Sequence, residues 1–316
     1  MTKKTRTKNA SNWGDATKLV RGGLERTLYG ETSEALYLTS GYVYDSPETA
    51  EKRFMGEDDG YVYGRYGNPT VSMFEERVAL LEGAEACYGV ASGMAAVFGA
   101  LACQLKAGDH VVSSKALFGS CYQVITQILP RFGITYTLVD GGDLAAWAAA
   151  FTPQTKCVFL ETPSNPTLDI IDIAAVCEIA KKAGATVVVD NIFATPILQK
   201  PLKMGADVIV YSGTKHMDGQ GRVLGGAIVS TKAFKDDLLK PFLRHTGPSI
   251  SPFNAWVLLK GLETMKLRVE AQSNSAESVA KQFLLHPNVA PLIQPNCFAL
   301  PRAASWSPNL LITPTH

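Results

Sequence analysis

Lys215 is the residue of this sequence whose surroundings most clearly indicate chemistry. It follows the apolar run Val208–Tyr211 and a Ser-Gly-Thr turn, and a lysine in such a position is seldom buried without a partner. Desolvation and neighbouring cations lower the pKa of an amine and make it the nucleophile that Schiff-base chemistry requires. A side chain that extends into solvent is the alternative on this segment alone. The glycine-rich stretch Asp218–Gly226 then lets the backbone turn tightly around a ligand.

Three further apolar runs end in polar residues. Ser92 and Gly93 stand between such a run and an apolar helical pattern, where free backbone N–H groups and the helix dipole suit a phosphate. Asp190 ends the run TVVVD, and Glu161 ends the run CVFLE. Each residue taken singly also fits an ordinary helix cap or turn. With Lys215, however, the Ser92 turn and Asp190 supply an amine, a phosphate anchor and a carboxylate for a pyridine nitrogen, which together indicate pyridoxal phosphate.

Such residues must be positioned by a sheet, because ligands of open α/β sheets lie beyond the carboxyl ends of the strands. Short apolar runs rich in β-branched residues predict buried strands at about 86–91, 110–114, 134–139, 156–161, 186–190, 207–211 and 226–229. Helical patterns separate several of them; one has Asp172 as its N-cap and Gly184 as its stop. This alternation predicts an α/β fold with a mostly parallel central sheet flanked by helices.

The chain divides into three predicted regions. Residues 1–65 are rich in Gly, Tyr and Thr and predict an irregular N-terminal arm that packs on a partner surface. Residues 66–255 form the large cofactor-binding α/β domain. Residues 256–316 start a C-terminal domain with a long helix, from about 253 to 285, and end in a proline-rich tail whose charged residue is Arg302.

The composition excludes several classes of protein. The 316 residues include 30 basic and 29 acidic side chains and are 46% hydrophobic, which argues against wholesale disorder and against a general attraction to nucleic acid. No apolar stretch is long enough to cross a bilayer. The six cysteines are dispersed without a CxxC pair and indicate free thiols in a reducing compartment. We therefore expect a cytoplasmic protein; for the basic N-terminus, a transit peptide or a nucleic-acid arm is the alternative to a solvated end.

Several segments resemble the Cys/Met-metabolism family of fold-type I pyridoxal-phosphate enzymes. They are Tyr63–Thr70, Glu161–Pro166, Val189–Asn191 and Ser212–His216. The resemblance extends from about residue 20 to 285. Within the family, Tyr211–Gly226 and Leu117–Ser120 are most similar to the O-succinylhomoserine sulfhydrylases, since γ-synthases and γ-lyases more often carry tyrosine where Phe118 stands.

The resemblance implies a role for each matching residue. Lys215 would hold the cofactor covalently and then carry protons, and Asp190 would keep the pyridine nitrogen protonated. Phe118 would stack on the ring, Asn165 would bind the ring 3′-oxygen, and Glu161 would support the site without being catalytic. The full implied cofactor-binding set is Tyr63, Arg65, Ser92, Gly93, Met94, Phe118, Asn165, Asp190, Ser212, Thr214 and Lys215. No metal is implied.

The resemblance also implies self-association and an activity. Tyr63 and Arg65 would reach the phosphate of a neighbouring subunit, so the site would need a homodimer, within the homotetramer typical of the family. The implied reaction is a γ-replacement of methionine biosynthesis, in which sulfide displaces succinate from O-succinylhomoserine to give homocysteine. A cystathionine γ-synthase or γ-lyase type of enzyme is the alternative.

The C-terminal residues point to a second alternative. The family's C-terminal domain supplies a serine and an arginine for the substrate α-carboxylate, and residues 286–316 offer no matching positions. We therefore also consider a truncated or frame-shifted chain that binds the cofactor without turnover.

Overall fold

A mixed sheet runs through the centre of the structure. The computed structural model describes residues 10–284, so the basic N-terminus and the proline-rich tail lie outside the described residues. The strands of the described part are β1 (Ala86–Val90), β2 (His110–Ser114), β3 (Thr135–Val139), β4 (Thr155–Glu161), β5 (Thr186–Asp190), β6 (Val208–Ser212) and β7 (Gly226–Ser230). Each coincides with a predicted strand to within one residue at either end.

The strand order is β1-β7-β6-β5-β4-β2-β3. Strand β7 runs antiparallel to β1 and β6, and the other neighbours pair in parallel. The prediction of a mostly parallel sheet is therefore confirmed. Parallel strands end at the same edge, so the carboxyl ends of β4, β5 and β6 lie side by side.

Helices cover both faces of this sheet. The α-helices are α1 (Asp15–Arg21), α2 (Pro47–Met55), α3 (Pro69–Glu82), α4 (Gly93–Ala102), α5 (Gly119–Gln123), α6 (Leu144–Ala149), α7 (Ile173–Lys182), α8 (Thr195–Leu198), α9 (Lys232–Phe234), α10 (Lys240–Thr246), α11 (Pro252–Glu263) and α12 (Met265–Leu284). Tighter helical turns lie at Ala10–Asn12, Leu129–Phe132 and Pro201–Met204, and wider ones at Val124–Ile128, Gly213–Met217 and Lys235–Leu239.

Alternating side chains divide the core between the two faces. Ile209 and Tyr211 of β6 pack among residues of α3 and α11, whereas Val208 and Val210 pack among residues of α4. Both faces of β6 are therefore apolar, which explains why this strand is a continuous hydrophobic run rather than an alternating one.

Helix α7 begins and ends where the sequence predicts. The Asp172 carboxylate accepts a hydrogen bond from the Ala175 N–H at 3.0 Å, and Gly184 follows the helix with φ +68°. An acidic N-cap satisfies a free N–H of the first turn, and glycine adopts the left-handed conformation that ends a helix without a Cβ clash.

The arm is more ordered than the sequence predicts. Within residues 1–65, α1 and α2 are regular helices rather than irregular chain. Helix α2 forms because the Ser46 hydroxyl accepts from the Thr49 N–H at 3.2 Å and because Pro47 is suited to a first helical position. Gly56, with φ +78°, ends it. Local capping residues therefore mark the start and the end of α2.

The long helix predicted over 253–285 is two helices. They meet at Thr264, whose φ of −107° and ψ of 2° are not helical. The Gly261 carbonyl accepts from the Arg268 guanidinium at 2.8 Å, which replaces part of the helical hydrogen bonding at the break. Gly261 also lies against the turn that carries Lys215, since a Cβ there would come within 2.2 Å of the Met217 carbonyl oxygen. Gly261 therefore allows α11 to approach that turn closely.

Candidate active site

Polar residues from three adjacent strands meet at the carboxyl edge of the sheet. Glu161 ends β4, Asp190 ends β5 and Ser212 ends β6. Glu161 and Asp190 are register partners, so their side chains leave the sheet on the same face. The alternation along β6 places Ser212 on the face of Val210, which α4 covers. The N-terminus of α4 therefore faces the strand ends.

The turn before α4 is built as the sequence predicts. The Ser92 hydroxyl accepts from the Ala95 N–H at 3.1 Å. Gly93 lies against Ser212, because a Cβ on Gly93 would come within 2.6 Å of the Ser212 Cβ. The first N–H groups of a ten-residue helix have no intrahelical acceptor. The Gly93 backbone thus stands beside the Ser212 side chain at a helix start that offers free N–H groups, as a phosphate site requires.

Lys215 lies in an irregular turn above the end of β6. Its φ of −92° and ψ of −114° interrupt the helical geometry of Gly213–Met217. The turn is fixed by the Gly213 N–H, which donates to the Gly225 carbonyl at 2.8 Å. Thr214 adds a contact, because its hydroxyl accepts from the Gly225 N–H at 3.3 Å.

The Lys215 side chain is exposed in the single chain. The prediction of a desolvated amine is therefore wrong for one protomer, and the alternative of a solvent-facing side chain describes it. Strand β6 ends at Ser212, and within the following turn Gly213 and Met217 are buried whereas Lys215 is not. This position leaves the amine free to meet a ligand at the edge of the sheet.

Asp190 is a buried carboxylate without a cationic partner among the described residues. Its side chain is 1% exposed. It accepts from the Ile192 N–H at 3.1 Å and lies 3.9 Å from the Cys121 sulfur. Burial, and then the charge of Glu161, raise the pKa of Asp190 well above its ordinary range. A buried carboxylate of this kind is suited to pairing with a cation such as a protonated pyridine nitrogen.

Glu161 binds two loops at this edge. One carboxylate oxygen accepts from the Phe118 N–H at 2.6 Å and the other from the Asn165 N–H at 2.9 Å. The Glu161 side chain is buried, while the Phe118 ring is 42% exposed and the Asn165 side chain is exposed. The structure therefore brings together two residues that the sequence connects only through the family resemblance.

Tyr63 and Arg65 are not brought to Lys215 within one chain. The Arg65 guanidinium donates to the Arg244 carbonyl on α10 and lies 5.5 Å from the centre of the Tyr63 ring. Arg65 and Arg244 border a cavity of about 640 Å³ whose lining does not include Lys215. That Tyr63 and Arg65 serve a neighbouring subunit stays a prediction.

One buried network, which the sequence did not predict, lies on the face of the sheet opposite to Ser212. The Tyr211 hydroxyl donates to the Glu82 carboxylate, and the Asn191 amide donates to the Tyr211 hydroxyl at 2.6 Å. Burial raises the pKa of Glu82 to about 7. Glu82 precedes the glycine that ends an amphipathic helix, a context that carries no signal of this contact. The network joins the end of α3 to the ends of β5 and β6.

The described residues fit pyridoxal phosphate on chemical grounds. The uncompensated Asp190 carboxylate, the close approach of Gly93 to Ser212 and the exposed amine of Lys215 match the ring nitrogen, the phosphate and the aldehyde carbon. Residues 10–284 contain no cluster of His, Cys, Asp or Glu that could hold a metal. Within the same residues no helix has the length and apolarity needed to span a membrane.

This fold and site define a pyridoxal-phosphate-dependent enzyme of the fold-type I class. Comparison with family models identifies the family, since the model described as Cys/Met metabolism PLP-dependent enzyme matches residues 16–304. The chain belongs to this family. The resemblance inferred from the motifs is therefore confirmed.

Individual relatives within this family show which enzymes the chain is similar to. The chain is 57% identical over 274 residues to an O-succinylhomoserine sulfhydrylase of Mycobacterium tuberculosis, which covers 87% of this chain and 68% of the relative. It is 48% identical to the enzyme of that name from Pseudomonas aeruginosa over 86% of this chain and 68% of the relative. An L-methionine gamma-lyase of Porphyromonas gingivalis is 39% identical over 92% of this chain and 73% of the relative.

Solved structures share the fold. The metB protein of Corynebacterium glutamicum superposes with a TM-score of 0.85 at 33% identity, over 94% of this chain and 76% of that one. A Campylobacter jejuni chain assigned as an O-acetylhomoserine (thiol)-lyase, whose structure carries a pyridoxyl-lysine monophosphate, gives 0.83 at 34% identity over 88% and 77%. The family and this neighbour support the prediction of pyridoxal phosphate as the cofactor.

Proposed function

We propose that this chain catalyses a γ-replacement on O-succinylhomoserine. Sulfide forms the new bond to Cγ, the bond from Cγ to the succinyl oxygen breaks, and homocysteine and succinate leave. The supporting observation is the convergence of Asp190, Ser212 and the Lys215 turn at one sheet edge. It occurs in a chain 57% identical to an O-succinylhomoserine sulfhydrylase. The product serves methionine biosynthesis.

Asp190 and Lys215 have different chemical roles in the proposed reaction. When bound, pyridoxal phosphate supplies an electron sink for negative charge on the amino-acid substrate. Asp190 holds the proton on the ring nitrogen through a charge-assisted hydrogen bond. The Lys215 amine takes the proton from the substrate α-carbon and returns it at a later step. Its exposed position at the sheet edge gives it access to that atom.

The phosphate and the ring are held by the remaining residues of the predicted set. The Ser212 and Thr214 hydroxyls and the Gly93 and Met94 N–H groups bind the phosphate at the start of α4, which Ser92 caps. The exposed ring of Phe118 stacks on one face of the cofactor. Asn165 binds the ring oxygen with its exposed amide.

We also propose that the chain acts as a homo-oligomer, with a homodimer as the smallest active unit. Large apolar side chains of the arm are exposed in the single chain: Leu28, Tyr29, Leu38, Val43, Phe54 and Met55. Their density supports burial against a second copy. The same contact would carry Tyr63 and Arg65 to the phosphate of the neighbouring subunit.

The domain division at residues 65 and 255 and a location in the cytoplasm are parts of the same proposal. The five cysteines of the described residues are free thiols, and four of them are buried, a pattern that supports a reducing compartment.

Product analysis tests the proposed reaction. O-Succinylhomoserine is supplied with sulfide and, in parallel, with cysteine; O-acetylhomoserine and methionine are supplied in further reactions. We expect homocysteine and succinate in equal amounts from the first mixture. Lys215→Ala should abolish the reaction, whereas Lys281→Ala, at an exposed position of α12, should preserve it. Cystathionine from cysteine would indicate a γ-synthase and a keto acid from methionine a γ-lyase. Cofactor uptake without product would contradict the proposed activity.

A further inference from the structure

Glu161 is the described carboxylate that contacts both loops beside the proposed ring site. Its two oxygens accept one backbone N–H each, from Phe118 at 2.6 Å and from Asn165 at 2.9 Å. The side chain is 4% exposed. Hydrogen bonds to an ionised acceptor are the strong ones, and a buried carboxylate depends on them for its stability.

The two loops come from different parts of the sheet. Phe118 precedes α5, in the connection that follows β2, whereas Asn165 lies in the loop after β4. Both present exposed side chains at the edge where Asp190 ends β5. Glu161 accepts a hydrogen bond from each loop, so the positions of the Phe118 and Asn165 side chains depend on each other. Without this shared carboxylate, each loop would position its side chain independently.

Glu161 also acts on Asp190 through its charge. The two carboxylates are register partners on adjacent parallel strands. Burial raises the pKa of Glu161 above its ordinary value, and the N–H groups of Phe118 and Asn165 oppose this shift because they favour the ionised carboxylate. The charge of Glu161 helps to raise the pKa of Asp190, an effect separate from its contacts with the Phe118 and Asn165 loops.

We propose that Glu161 is a positioning residue, which holds the Phe118 and Asn165 loops at one separation and thereby fixes the cofactor ring between its stacking side chain and its 3′-oxygen contact. This inference rests on the proposed cofactor site. It assigns Glu161 no contact with the substrate or the cofactor, and the positioning effect passes through Phe118 and Asn165.

Glu161→Gln is the sharpest test, because glutamine keeps the shape but presents an NH₂ group to one of the two N–H donors. The readouts are the dissociation constant of pyridoxal phosphate and the visible circular dichroism per bound cofactor, which reports how firmly the ring is fixed. We expect affinity to fall about tenfold or more and the dichroism to fall with it. Glu178→Gln, the same change at an exposed position of α7, should leave both unchanged.

A double-mutant cycle separates positioning from a general loss of structure. Glu161→Gln is repeated in a Phe118→Ala/Asn165→Ala background, where the two side chains to be positioned are gone. We expect its effect on cofactor affinity to shrink to about twofold or less there. An equal effect in both backgrounds would overturn the proposal, because Glu161 would then act elsewhere.

Two further controls distinguish a failure to fold and a failure of the proposed function from a failure of this inference. If Glu161→Gln does not fold, Glu161→Asp replaces it; this variant keeps the charge but falls about 1.5 Å short and should weaken binding in the same direction. If either folded variant binds the cofactor as tightly as the parent chain, the proposed role of Glu161 is overturned and the proposed function stands. A parent chain that binds no cofactor overturns the proposed function, and this inference with it.

Discussion

The Arg77 guanidinium and the Glu34 carboxylate form an ion pair that is closed to solvent, with side-chain exposures of 0% and 1%. Arg77 also donates to the Gly22 carbonyl at 2.8 Å and to the Leu259 carbonyl at 3.3 Å. One side chain of α3 therefore joins two points of the arm to α11. Since α11 supports the Lys215 turn, this pair connects the arm to the site.

Replacing Arg77 should destabilise the chain strongly. Arg77→Ala leaves the Glu34 carboxylate buried with Lys260 as its remaining cation, and breaking a buried pair costs about 3–5 kcal/mol. Urea unfolding measures the change. Lys281→Ala breaks an exposed pair on α12 and should change stability by about 0.5 kcal/mol or less. Equal effects of the two substitutions would show that the buried pair does not hold the arm.

Glu82 should make stability depend on pH. Its pKa is about 7 in the folded chain against an ordinary value of 4.5, so the folded state binds the proton more tightly. The resulting stabilisation is complete below about pH 4.5 and is lost as the pH rises through about 7. Glu82→Gln cannot titrate and should lack this decline. Unfolding at several pH values compares the slopes, and identical slopes would contradict a protonated Glu82.

Gly93→Ala should damage the proposed phosphate turn. The added Cβ would lie 2.6 Å from the Ser212 Cβ, and overpacking of this kind costs about 1–3 kcal/mol. We expect lower stability and weaker cofactor binding, measured by unfolding and by cofactor titration. Gly142→Ala is the matched control, because its Cβ would meet no atom closer than 3.6 Å. A Gly93→Ala chain that binds the cofactor normally would place the phosphate elsewhere.

Asp190→Asn should raise the stability of the cofactor-free chain and weaken cofactor binding. The pKa of Asp190 is raised in the folded chain, so its ionisation opposes folding as the pH rises above its ordinary value. Removing that charge should stabilise the cofactor-free chain at neutral pH. It should also weaken cofactor binding by about tenfold or more, because the charge-assisted bond to the ring nitrogen is lost. Unchanged binding would exclude Asp190 as the partner of that nitrogen.

The sequence predicted the elements better than it predicted the contacts between them. The strands were predictable because burial on both faces makes each one a short apolar run, and the Asp172 cap because its signal is local. The Glu82–Tyr211 contact joins residues 129 positions apart, and neither residue differs from an ordinary helix end or core tyrosine. The break at Thr264 interrupts a sequence pattern that is helical on both sides, so periodicity alone did not reveal it. The site residues were predictable as types, whereas the link from Phe118 to Asn165 required the structure.

The attachment of the cofactor to Lys215 is the central claim of the proposed site, and peptide mapping tests it most directly. The chain is incubated with pyridoxal phosphate, reduced with borohydride, digested and analysed by mass spectrometry. The proposed site predicts one dominant phosphopyridoxyl-modified lysine, in the peptide that contains Ser212–His216, and its loss in Lys215→Ala. Modification spread over surface lysines, or undiminished in Lys215→Ala, would contradict it.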